Sequence, residues 1–230
     1  EDAIVDHASE GMYAEIFCAA LQSAAFVESD KYKLIDIGLS YIPEDCAVRK
    51  AICNVIDSYK EGVDYIEARK RVMTAVPGNF GIQGTKIKDI KEDFPFGDPG
   101  FDAPQNIAIL IIGWLYGEDD FGKSLCIAVN CGEDTDCTAA TLGAILGIIM
   151  GYKALPENWT KPIGGIINTC CINLSSNIRI PQTVDELTDR VLSNIPSFLG
   201  NEICDVLHCG NGYTTQVLEG DELYLEKGDI

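Results

Sequence analysis

Apolar positions recur at helical spacing along most of the chain. Residues 10–28 carry them with an Ala-rich packing surface, which predicts a long first helix. Asp30 is placed to cap a second, running to about Tyr41, and Pro43 to occupy the first turn of a third that ends near Gly62. Residues 64–75 read as a fourth helix. Between 76 and 103 the pattern breaks down: Pro77, Gly78, Gly81, Gly84, Pro95, Gly97, Pro99 and Gly100 interrupt any regular element, and a long irregular loop in a compact domain is often functional. Helical spacing resumes over Pro104–Tyr116, Asp119–Asn130 and Asp136–Tyr152. Thr183-Val-Asp-Glu186 has the form of a capping box ahead of an apolar run from Leu187 to Leu199. Past Gly200 the period changes. Gly210-Asn-Gly212 reads as a turn, and Tyr213–Leu218 and Glu222–Leu225 alternate like short strands. The expected organisation is an all-α domain over residues 1–199, a compact orthogonal helical bundle, followed by a β-like tail over 200–230.

Composition narrows the partners. The formal charge is −19, from 36 acidic against 17 basic residues. That field disfavours nucleic acid and anionic membrane surfaces. An anionic ligand would need a cation or helix amino-termini to reverse the local potential. The most apolar stretch, Thr138 to Tyr152, has about 15 residues where a membrane span needs roughly 20, so a buried core helix is expected. Ten cysteines lack both C-x-x-C and paired zinc spacing. They fit small core hydrophobes of a reduced, cytoplasmic protein, in which the sequons at Asn158 and Asn173 carry no meaning. The chain opens at Glu1 without an initiator Met, and is expected to be a piece of a longer protein.

The stretch with most chemistry is residues 128–152. Cys131-Gly-Glu reads as a turn, and Asp134-Thr-Asp-Cys-Thr138 stands at the mouth of an apolar helix. Two carboxylates two residues apart cannot share a face inside a helix, but can converge at its entrance. Their hard oxygens suit Mg²⁺ or Ca²⁺. The same residues are also ordinary helix caps, and spacing alone leaves both readings open. An EF-hand does not fit, since Ala139 stands where Gly is wanted and Ile145 where Glu is wanted. Glycines 143, 147 and 151 recur every four residues, which predicts close helix approach and a central place for this helix.

The run G-x-D-T-D-C-T-A-A-T-x-G-A-I-x-G, followed by Leu155-Pro-Glu-Asn-Trp159, resembles the carboxy-terminal signature of the ADP-ribosylglycohydrolase family. Ala103-Pro-Gln-Asn-Ile107, the helix to Tyr116-Gly117, and Asp120-Phe121 through Ala128-Val-Asn130 resemble its bacterial branch. Asp6-His-Ala-Ser9, with Gly11 and Tyr13, is similar to the family's Thr-His segment ahead of an Ala-rich helix. The likeness covers approximately residues 1–199. It implies an all-α fold, a pair of Mg²⁺ ions in a cleft, and hydrolysis of a glycosidic bond at the anomeric carbon of the ribose in an ADP-ribose conjugate. It places Asp134 and Asp136 among the metal ligands and Cys137 where many relatives have Ser or Thr as a further oxygen ligand. A thiol is a poor Mg²⁺ ligand, although Cys is familiar there in the bacterial branch. His7 matches a histidine that contacts ADP-ribose, Tyr13 belongs to the same segment, and Asn106 matches the branch pattern as a cap or a ligand contact. The family's amino-terminal Gly-Asp-Ala-like and Thr-Asp-Asp motifs, which supply the rest of the metal cluster, do not occur in these residues. The alternative expectation is therefore a non-catalytic binding or structural module of the same fold.

Other motifs score lower. Gly78–Lys86 has Gly-Thr-Lys where a phosphate loop has Gly-Lys-Thr. Cys204, His208 and Cys209 could begin a zinc or Cys-His site but lack a fourth ligand nearby. Glu118-Asp119-Asp120 reads as a solvated helix start, and Glu15 as facing either a cleft or solvent.

Overall fold

A helix leaves its first amide protons without partners inside the helix, and in this chain aspartates take several of them. The computed structural model describes residues 2–76, 102–168, 179–199, 207–209 and 212–214. Its contacts divide the chain into two units, Glu1–Pro156 and Glu157–Ile230. The first unit is helical: α1 (Ala3–Asp6), α2 (Glu10–Ala24), α3 (Lys31–Ser40), α4 (Ala47–Lys60), α5 (Tyr65–Ala75), α6 (Ala103–Tyr116), α7 (Phe121–Asn130) and α8 (Thr135–Met150), then a 3-10 turn at Tyr152–Ala154. The Asp30 carboxylate accepts from the Tyr32 and Lys33 amides and starts α3. Asp64 does the same for α5 through Ile66 and Glu67. Asp120 starts α7 through Lys123.

The third long helix begins later than Pro43 suggests. Arg49 explains the shift: its guanidinium donates to the carbonyls of Pro43 (3.1 Å), Ile42 (3.2 Å) and Leu39. These bonds satisfy carbonyls at and just beyond the end of α3, so Pro43 lies in the connection and α4 starts at Ala47. Cys46 Sγ accepts from the Arg49 amide, and the buried Glu10 carboxylate accepts from the Val48 amide at 3.0 Å. The start of α4 is thus closed from α2.

The centre of the unit is α6. Residues 108–115 are all buried on it, and it packs against α2, α4, α5, α7 and α8. A Cβ at Gly113 would stand 2.8 Å from Ala128 Cβ, from Leu142 Cδ2 and from the Ser124 carbonyl. That glycine permits the close approach of α7 and α8. The glycine stripe of α8 does not play this part. The nearest described atom to a Cβ at Gly143 would be Leu125 Cδ2 at 3.7 Å, and no described atom lies within 4 Å of one at Gly147. Instead α8 buries Thr138, Leu142, Ile145 and Leu146. Among the described residues the expectation of a central α8 is corrected: its larger side chains face the core and its glycines do not. Gly151, at φ 71°, ends it.

In the second unit, α9 (Glu157–Ile163) and α10 (Val184–Leu199) accompany an isolated bridge between Ile166 and Thr183. Thr183 Oγ1 accepts from the Glu186 amide at 3.1 Å. The Glu186 carboxylate reaches back to the Gln182 amide at 2.9 Å, one residue before the expected reciprocal partner. That amide, more than Arg179 and Arg190, holds its carboxyl below the ordinary range. Strands β1 (Leu207–Cys209) and β2 (Gly212–Thr214) pair antiparallel with Cys209 opposite Gly212. The hairpin therefore draws one strand from before the turn, where alternation gave no sign of it. Residues 77–101, including Gly78–Lys86, lie outside the described residues. So do Asn173, the Gly200 junction, Cys204 and Glu222–Leu225, and the side chains of His208 and Cys209. No helix among the described residues is long and apolar enough to cross a membrane.

Candidate metal and ligand site

α7 ends at Asn130 and the chain must reverse before α8. It does so through two successive left-handed residues, Gly132 at φ 78° and Glu133 at φ 61°. Glycine adopts this region freely; a glutamate there costs roughly 1–2 kcal/mol and needs outside support. Arg69 of α5 supplies it. Its Nη2 lies 2.9 Å from Glu133 Oε1, and its Nε donates to the Cys131 carbonyl. The two charged side chains are 8% and 7% exposed. A second support comes from α6, where Asn106 Oδ1 accepts from the Asp134 amide at 3.2 Å. Asn106 Nδ2 donates to the Asp102 carbonyl at 3.1 Å.

Asp134 then occupies the cap position of α8, yet its carboxylate makes no capping hydrogen bond. Asp30, Asp64 and Asp120 do so at the equivalent place, while Asp102, at the cap of α6, like Asp134 does not. One ligating atom each from Asp134, Asp136 and Cys137 lies within 4.8 Å of the others. Asp134 is half-buried, and Asp136 and Cys137 are exposed. The Cys137 thiol donates to Asp134. That bond, then burial, then the charges of Asp134 and Asp136 push its pKa up to about 11. It is therefore a neutral donor near neutral pH and not a thiolate.

The donor set fits a hard divalent cation in part. Two carboxylates supply hard oxygens from a braced backbone, while the octahedral shell of Mg²⁺ takes six. The remaining positions fall to water, ligand or other residues.

A second group lies at the start of α2. His7 Nδ1 is 2.8 Å from Asp6 Oδ1 and 3.5 Å from Glu15 Oε2. The hydrogen bond and charge of Asp6 raise the His7 pKa against a small desolvation effect, and Glu15 adds to the rise. The ring lies over the first turn of α2, where a Cβ on Gly11 would meet His7 Cδ2 at 3.1 Å. Tyr13 is half-buried on the same turn. Of the residues singled out from the sequence, Asn106 is thus joined to the Asp134 turn, and His7 is grouped with Glu15. Arg69 and Glu133 were not legible as partners, being 64 positions apart. The one local sign was Arg69 lying beside the buried positions Ala68 and Val72 of α5. The acids of Glu118-Asp119-Asp120 are all engaged: Asp120 caps α7, Glu118 pairs with Lys123 at 2.6 Å, and Asp119 pairs with the distant Lys31 at 2.7 Å.

A family model described as ADP-ribosylglycohydrolase matches residues 1–196. A curated protein, ADP-ribosylarginine hydrolase Tri1 of Serratia proteamaculans (strain 568), is 38% identical over 45 residues. The match spans 20% of this chain and 12% of that relative. No solved structure matches.

Proposed function

The chain belongs to the ADP-ribosylglycohydrolase family, and from that premise we propose that it serves Mg²⁺-dependent hydrolysis of the glycosidic bond in an ADP-ribose conjugate. One observation carries the metal reading: Asp134 stands at a cap position without capping, and its carboxylate converges with that of Asp136 instead. Two carboxylates brought together at a helix mouth offer a cation two hard oxygens.

Asp134 and Asp136 would hold the ion, with Cys137 orienting Asp134 by its thiol proton. A bound Mg²⁺ would supply charge to offset the acidic surroundings and polarise the oxygens it meets. His7, whose charged form Asp6 and Glu15 favour, offers a contact for the anionic diphosphate when protonated. Tyr13 and Asn106 are the remaining proposed substrate contacts. In the net reaction, water adds to the anomeric carbon, the bond to the acceptor breaks, and the acceptor leaves with a proton. The name of the Serratia relative makes ADP-ribosylarginine the first conjugate to try. A reducing, cytoplasmic setting, expected from the cysteine spacing, belongs to the same reading.

A second reading, a non-catalytic module that binds ADP-ribose or serves a structural role, is favoured by the small donor set. Among the described residues the cluster offers two carboxylates. Calorimetry of ADP-ribose with Mg²⁺ and with EDTA, alongside Asp134→Asn, tests the site. Binding that requires both metal and carboxylate is expected. Equal binding in EDTA, or by Asp134→Asn, would overturn the assignment. Release of ADP-ribose from ADP-ribosylarginine then separates enzyme from binding module.

A further inference from the structure

We propose that Arg69 is a positioning residue for the Asp134 and Asp136 carboxylates, acting through Glu133 and the Cys131 carbonyl; this rests on the metal reading above. Arg69 is on α5, far along the chain from the turn that it grips. Its guanidinium touches both sides of Gly132: Nε at the Cys131 carbonyl and Nη2 at Glu133 Oε1, 2.9 Å away. Burying two charges is unfavourable unless each is paired and further hydrogen-bonded. A planar fork meets that demand at two points with fixed geometry, and an ammonium does not.

The consequence for the carboxylates is direct. Glu133 is held at φ 61°, a conformation that an L residue leaves when unsupported. Relaxation to negative φ would rotate the peptide that enters Asp134 and break the Asn106 bond to its amide. Asp134 would then be free to fold back as an ordinary cap, turning its carboxylate away from Asp136. The same geometry sorts the acids of the Glu133-Asp-Thr-Asp136 run. The Glu133 carboxylate is engaged by Arg69 in the interior, while Asp134 and Asp136 are presented outward.

The test uses Mn²⁺ as probe, titrated into the whole chain and followed by the paramagnetic resonance of the free ion. Wild type, Arg69→Lys, Glu133→Gln and Asp134→Asn are compared. Circular dichroism confirms folding, and amide hydrogen exchange is read at residues 133–136. Arg69→Lys keeps the charge without the fork; Glu133→Gln keeps the shape without the charge. Both are expected to weaken Mn²⁺ binding about 10- to 100-fold and to speed exchange at the Asp134 amide, while Asp134→Asn loses binding. Folded Arg69→Lys and Glu133→Gln proteins with wild-type affinity would overturn the brace alone. Wild type that binds no Mn²⁺ would overturn the metal reading and the brace together. If Arg69→Lys does not fold, Glu133→Gln decides.

Discussion

Asn106 Oδ1 accepts from the backbone amide of Asp134 across 28 positions of sequence, at 3.2 Å. Its Nδ2 donates to the Asp102 carbonyl, so one side chain ties the start of α6 to the start of α8. Asn106→Ala removes both bonds at a half-buried place. It is expected to lower stability by roughly 1–2 kcal/mol, read as the shift of a urea unfolding midpoint, and to weaken Mn²⁺ binding as well. Unchanged Mn²⁺ affinity with reduced stability would confine Asn106 to a packing role.

Capping and metal roles separate in stability measurements. Asp120 caps α7, and Asp120→Ala is expected to cost about 1 kcal/mol. Asp134 sits at the same position of α8 without a cap bond, so Asp134→Ala in EDTA should cost clearly less. It relieves repulsion with Asp136 and can even stabilise. Denaturant melts of both variants in EDTA check this. Equal losses would mean that Asp134 caps α8 in solution.

Two glycine substitutions should have opposite signs. Gly113→Ala drives a methyl to 2.8 Å from a backbone carbonyl and from two side chains. It is expected to destabilise by about 1–3 kcal/mol or more. Gly147→Ala meets no described atom within 4 Å, and should stabilise α8 by up to about 1 kcal/mol through helix propensity. Thermal melts of the pair decide. A destabilised Gly147→Ala protein would show that the glycine face is covered.

His7 titrates above the ordinary histidine value because Asp6, and then Glu15, favour its charged form. The chain has only two histidines, so the ring protons of His7 can be followed by NMR against pH. Asp6→Asn should lower the midpoint most and Glu15→Gln less. Since the folded pKa is raised, the protonated ring contributes stability that is fully present below about 6.5. That contribution is lost as pH rises through the folded midpoint. A midpoint at or below the ordinary value would show that the carboxylates do not face the ring in solution.

What the sequence made legible was local. The cap at Asp30, and the helix that it starts, follow from one residue type beside an apolar period. The two carboxylates at the mouth of α8 were visible as a pair, though not whether they cap. That distinction rests on the backbone at Asp134 and on Asn106, which no spacing reveals. α1 spans only Ala3–Asp6 and is too short to display a period. The displaced start of α4 depends on an arginine side chain reaching back over the loop. The brace of Arg69 on Glu133 joins distant residues, and its two members look like any surface charges until α5 is packed. Small residues every four positions suggested the wrong central helix, because glycine spacing shows where an approach is possible and not where one occurs.

The place of α6 bears on how the chain is made. α2 packs with α3, and α4 with α5, each pair being neighbours in the chain. The surface on which these pairs meet α6 waits for residues 103–116. Until those residues leave the ribosome, the faces of α2, α4 and α5 that pack on α6 lack that cover. Emerging chains of this kind are prone to associate with one another. The time that translation takes to travel from residue 76 to residue 116 therefore sets how long those faces stand open.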